Sequence, residues 1–256
     1  MASNQLEMAN RMANQGKFGD ALLILAESRR LAVSCDDPPL IIKTSIARGN
    51  FLFSMNRHDE AFTHWEAALT EAGRAGEKEL ESLAGIYRAR ARLMLIINSG
   101  GKNGVAEIRD EVNNLTATIK NDLQAQAAGL LVLGMAEKEL GRYAEAEKAV
   151  RRAVEIHEKG RYLEETAYDW YFIASVYSVS QRYDEALSAL NTAINFDRRA
   201  ENGYGLASGW QAVGEVNLKK NQYADSEAAF RRAAGIYRAI GLEELAAAAE
   251  AKIRNQ

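Results

Sequence analysis

The chain has 256 residues, 47% hydrophobic and 26% charged, with two prolines, one cysteine (Cys35) and a formal net charge of -3. That charge argues against a general nucleic-acid binder, which carries a basic face, so nucleic acid is not an expected partner. A lone cysteine excludes an internal disulfide framework and any multi-cysteine metal site. No apolar run approaches the roughly 18 residues of a membrane span.

Met1-Ala2-Ser3-Asn4 runs almost directly into a helical pattern, without an apolar leader. This suits a cytoplasmic protein, and equally a lipid-anchored periplasmic one whose signal has been removed. Further along, a short motif recurs. It reads Gly16-Lys17-Phe18-Gly19-Asp20-Ala21, Asn56-Arg57-His58-Asp59-Glu60-Ala61, Gly141-Arg142-Tyr143-Ala144-Glu145-Ala146, Gln181-Arg182-Tyr183-Asp184-Glu185-Ala186 and Asn221-Gln222-Tyr223-Ala224-Asp225-Ser226. The starts at 16 and 56, and those at 141, 181 and 221, are 40 residues apart. Gly101-Lys102-Asn103-Gly104-Val105-Ala106 is the candidate for the missing copy, with five surplus residues assigned around 72–82. A period of this length marks a stack of supersecondary units.

Apolar residues at helical spacing flank each motif. Leu130, Leu133, Gly134 and Glu137 mark a face before one turn, and Ala146, Val150, Ala153 and Val154 a face after it. Each unit therefore reads as a helical hairpin. The first turn residue takes the left-handed backbone that ends a helix, and the aromatic two positions on should lie over the hairpin core. The small residue closing the motif allows close helix approach. The expected repeats are about 2–40, 41–81, 82–126, 127–166, 167–206 and 207–240. A capping helix over 241–254 carries Leu242, Leu245, Ala246, Ala249 and Ile253 on one face. The third repeat is the irregular one: Asp110, Asn113 and Asn114 fall where others are apolar.

On these residues the sequence resembles the tetratricopeptide repeat family. Trp170, Ile173, Ala174 and Tyr177 before Tyr183, Ala186, Leu190 and Ala193 carry the resemblance best, with Trp210, Val213 and Gly214 before Tyr223, Phe230 and Ala233. The family repeat is usually 34 residues, so 40 is a departure, expected to lengthen both helices. The resemblance implies an all-α, right-handed α-solenoid of about six hairpins plus a capping helix, as a single domain over 1–256. It further implies a concave groove lined by the first helices.

Catalytic chemistry is not expected. His58, His64 and His157 share no metal-ligand spacing, and Ser99-Gly100-Gly101-Lys102-Asn103-Gly104 lacks the strand and the Gly-Lys-Ser/Thr ending of a phosphate cradle. The expected function is non-catalytic binding of a protein or peptide, without cofactor or metal. On the groove face, Tyr168, Tyr171 and Phe172 with Leu131 and Met135 form an expected apolar patch, the kind that marks interaction sites. Asn10, Asn50, Arg88 and Arg92 are the expected polar contacts. Some family members clamp a peptide carboxylate with such residues; here Leu6 and Ala47 stand at two of those positions. A homodimer built through the aromatic face and a sensory solenoid holding a small ligand are the alternatives.

Overall fold

The computed structural model describes residues 2–254. Among them lie thirteen helices and no strand: α1 (Ala2–Asn14), α2 (Phe18–Ser34), α3 (Pro38–Ser54), α4 (His58–Ala75), α5 (Lys78–Asn98), α6 (Val105–Thr118), α7 (Leu123–Glu139), α8 (Tyr143–Gly160), α9 (Leu163–Val179), α10 (Tyr183–Arg199), α11 (Gly203–Lys219), α12 (Tyr223–Ala239) and α13 (Glu243–Arg254). They form six hairpins and a C-terminal helix. The chain groups into two compact units, Met1–Ala13 with Lys17–Ala153, and Asn14–Gly16 with Val154–Gln256. None of the described helices is long and apolar enough to cross a membrane.

Helices α9 to α12 each have 17 residues. With three-residue turns between them they account for the 40-residue period, so the extra length over the usual repeat lies in the helices, as expected. Every first helix from α3 onward begins three or four residues before the expected repeat boundary.

The turns share one backbone solution. One residue is left-handed: Asn56 (φ 60°), Gly141 (75°), Gln181 (62°) and Asn221 (59°) within hairpins, and Asp36 (51°), Arg161 (58°), Glu201 (54°) and Gly241 (79°) between them. The next N–H then reaches back five residues. Arg57 donates to the Leu52 carbonyl at 2.9 Å, Arg142 to Glu137 at 2.9 Å, Tyr162 to His157 at 2.9 Å and Arg182 to Tyr177 at 2.8 Å. This Schellman closure satisfies carbonyls that a helix end otherwise leaves unpaired. Between the first two repeats Asp37 accepts from Leu40 N–H at 3.0 Å and Pro38 opens α3, which is the proline's favoured place.

The small residues of the motif, Ala21, Ala61, Ala146, Ala186 and Ser226, are all fully buried. Ser226 keeps its hydroxyl satisfied by donating to the Gly214 carbonyl at 2.9 Å across the hairpin. The turn aromatics divide: Phe18 packs against its hairpin core as expected, and two others do not. Tyr143 is 37% and Tyr223 52% exposed, because a side chain at the first helical position leans back over the turn and not onto the core.

In the first unit Leu52, Ala61, Trp65 and Ala91 form one core cluster. Trp65 is fully buried, its indole N–H donating to the Ile46 carbonyl at 3.2 Å, and a Cβ at Gly49 would overlap its ring. In the second unit Ala207, Ala233, Ala234, Tyr237, Ala246 and Ala249 join α11, α12 and α13. Here Leu245, expected in the core face of α13, is 37% exposed.

The third hairpin differs from the expected register. α3 and α5 still begin 40 residues apart, so the surplus does not lie around 72–82. It lies in α5, which runs to 21 residues, and in a six-residue turn over 99–104, where Gly100 (φ 71°) and Gly104 (φ 90°) reverse the chain. The buried positions of α6 are Val105, Ile108 and Val112. Ile108, whose N–H bonds the Gly104 carbonyl as that of Ala61 bonds Arg57, fills the small-residue place, and Ala106 does not. Asp110, Asn113 and Asn114 then point to solvent, and the helix is amphipathic after all.

Two substitutions test this packing. A Cβ at Gly214 would stand 2.8 Å from Phe230 Cε1, so Gly214→Ala is expected to cost about 1–3 kcal/mol, read as a lower midpoint in urea. Gln181→Gly relieves a left-handed non-glycine residue and is expected to add roughly 0.5–1 kcal/mol of stability, read as a higher midpoint. A loss on Gln181→Gly would contradict the turn argument.

Candidate functional site

α9 packs against α10 and α11 within the second unit and buries Ala167, Ile173, Ala174, Val176 and Tyr177. Tyr168 and Tyr171, three residues apart, share the remaining face. Their rings lie 6.4 Å apart and nearly parallel, at 21°. Tyr168 is 40% exposed and Tyr171 half-buried. On α11, Asn202 caps the helix by accepting from Gly205 N–H at 2.9 Å, which fixes where Tyr204, Ser208 and Glu215 fall. Their spacing puts all three on one stripe. Tyr237, in the last turn of α12, joins them: its ring lies 6.3 Å from that of Tyr204, and its hydroxyl is 3.1 Å from Ser208 Oγ.

Burial pushes the Tyr171 phenol well above its usual range, and the Glu215 carboxylate adds to this, followed by the phenols of Tyr168, Tyr237 and Tyr204. Burial also raises Tyr204 and Tyr237, opposed in each by a hydrogen bond with Ser208. These phenols are therefore neutral at physiological pH. They present ring faces together with hydroxyls that donate and accept, next to the exposed Glu215.

Other expected contacts are placed differently. Phe172 (5% exposed), Leu131 (8%) and Met135 (8%) are buried, which corrects their assignment to an open groove face. The reason is that first helices touch one another, α3 with α5, α5 with α7 and α9 with α11. The free strip on each is thus narrower than a lone hairpin would leave, and α7 is buried on nearly every side. Arg88 and Arg92 are likewise not groove contacts. Glu111 on α6 accepts from Arg88 at 2.9 Å and from Arg92 at 2.7 Å, and Glu66 on α4 lies 3.6 Å from Arg88, so both arginines face second helices. The error follows from the misplaced surplus. With α3 and α5 in step, the residue equivalent to Asn50 is Arg90, whose guanidinium stacks on Phe53 at 4.0 Å. Asn10 is exposed, and Asn50 is half-buried with its Oδ1 lacking a hydrogen-bond partner.

The family model for the tetratricopeptide repeat matches residues 127–160. No curated protein matches the chain. Among solved structures, the Rap conjugation gene regulator of plasmid pLS20 in complex with the Phr* peptide is similar over 94% of this chain and 64% of its own, at TM-score 0.67 and 14% identity. A Rap protein complexed with Competence and Sporulation Factor is similar over 98% of this chain and 73% of its own, at TM-score 0.61 and 13% identity. BtubC (BKLC) from P. vanneervenii matches 94% of this chain and 92% of its own, at TM-score 0.57 and 18% identity. At such identities the likeness is one of fold.

One further set of polar groups in the second unit was not singled out in the sequence. Residues 157, 197 and 237, spaced by 40, are His, Asp and Tyr, and all three are buried. His157 stands on a second helix and turns inward, with Nδ1 2.7 Å from Asp169 Oδ2. The other Asp169 oxygen has no hydrogen-bond partner. Burial raises Asp169 to about 6, against the hydrogen bond from His157. Burial raises Asp197 to about 7, opposed by the Asn202 amide at 2.7 Å and reinforced by Glu164. The folded state therefore binds these protons more tightly than the unfolded chain does. Their contribution is most favourable at acid pH and is lost as pH rises from about 4 to about 7. Asp197→Asn is expected to raise the melting temperature at pH 8 and to flatten its decline between pH 4 and 7. A melting curve with unchanged pH dependence would contradict the assignment.

Proposed function

We propose that the chain is a non-catalytic scaffold or adaptor of the tetratricopeptide-repeat kind, and that the tyrosine face of α9 and α11 holds a peptide or partner segment. The observation that carries this reading is the Tyr168–Tyr171 pair: a large aromatic ring left 40% exposed and laid alongside a second, half-buried one. Tyrosine supplies wide contact area at low conformational-entropy cost, and its hydroxyl can meet a peptide amide. That a similar structure, the pLS20 regulator, is in complex with a peptide supports the same class of ligand. Asn10 and Asn50 remain polar contacts on first helices of the first unit, without the arginines.

Tyr168→Ala is expected to leave stability within about 0.5 kcal/mol, as for other exposed positions. It should weaken binding of peptides selected on the wild type by about tenfold or more. Light scattering over a hundredfold dilution distinguishes the rival reading. A dilution-dependent dimer that Tyr168→Ala abolishes would make this face a self-association surface and overturn the proposal.

A further inference from the structure

The tyrosine face carries an exposed carboxylate, that of Glu215. Glu215 lies on the α11 stripe with Tyr204 and Ser208. Among the described residues it has no ion-pair or hydrogen-bond partner. Its charge helps to raise the phenols of both Tyr171 and Tyr237. The one ammonium on α11, that of Lys219, is engaged: it donates to Ser178 Oγ on α9 at 2.8 Å. The site thus combines an uncompensated carboxylate with the negative faces of several aromatic rings. Each of those attracts a cation, by Coulomb interaction and through the ring quadrupole.

On the reading of this face as the peptide-binding surface, we propose that it recognises a basic side chain, arginine or lysine, of the bound segment. Glu215 pairs with the charge, and the accessible parts of Tyr168, Tyr171 and Tyr204 take the aliphatic stem and the flat or tetrahedral head. An acidic segment is disfavoured for the same reason, since its carboxylate would meet that of Glu215. A neutral apolar side chain would fill the rings and leave Glu215 unused.

The test uses fluorescein-labelled heptapeptide pools. Their central residue is arginine, lysine, citrulline, norleucine or glutamate, and the other positions are mixtures of alanine, serine, leucine and asparagine. Binding to the full chain is read by anisotropy at low and at physiological salt. The arginine and lysine pools are expected to bind about tenfold tighter than the citrulline and norleucine pools, with an advantage that shrinks as salt rises. Glu215→Gln should remove most of that advantage without moving the melting temperature, because Glu215 is exposed and unpaired. If norleucine binds as tightly as arginine, or if Glu215→Gln leaves the preference intact, basic recognition by Glu215 is wrong while peptide binding stands. If no pool binds the wild type, or binding is indifferent to Tyr168→Ala, the peptide reading fails and this proposal falls with it.

Discussion

The three-residue reversal between helices is the constraint from which the rest follows. A helix end leaves carbonyls without partners, and a chain that turns back within three residues has no room to hydrate or cap them all. The left-handed residue and the N–H that reaches back five positions resolve both problems at once. Because that geometry recurs within and between hairpins, successive helices leave each turn in the same way. Helix length then sets the period: seventeen residues, turn, seventeen residues, turn. The third hairpin shows the tolerance of the scheme. Two glycines with positive φ absorb a six-residue turn, and α6 still buries Val105, Ile108 and Val112.

A regular reversal also decides what each helix can offer to a ligand. In the first unit α5 meets its own second helix α6, the preceding second helix α4 and the first helices α3 and α7; in the second, α11 meets α12, α10 and α9. Only a thin strip stays free. On α9 that strip holds Tyr168 and part of Tyr171, while Phe172, one residue on, is 5% exposed and belongs to the core. A rotation of one position thus separates an anchor for a partner from a residue that holds the protein together.

Constant backbone and variable chemistry are clearest at positions 157, 197 and 237, where His, Asp and Tyr occupy equivalent buried places. The histidine is matched by Asp169 at 2.7 Å, the aspartate by Asn202 at 2.7 Å and the tyrosine by Ser208 at 3.1 Å. Each of these three buried polar groups is given a partner, as low-dielectric surroundings require. The array can therefore vary side chains at one place without changing the path of the main chain. That is why the fold class says little about the ligand, and the rings and carboxylate of the tyrosine face must be argued from their own geometry.

Fold class, hairpin number and turn sites were legible in the sequence, because Gly or Asn at a helix end and a small residue at a helix crossing are demanded by local sterics. Gly141, Asn221 and Ala146 stood at the places where the structure uses them. Register in the third repeat was not legible, since several turn lengths suit Ser99–Gly104 equally; only packing shows that Ile108 takes the small-residue place. For that reason Arg88 and Arg92 were read as groove contacts and proved to be partners of Glu111. Tyr168 and Tyr171 were legible as a face, but their convergence with Tyr204, Tyr237 and Glu215 was not. Those residues lie 33 to 69 positions away in the chain. Periodicity along one helix says which residues share a side, and only the packing of three helices says which sides meet.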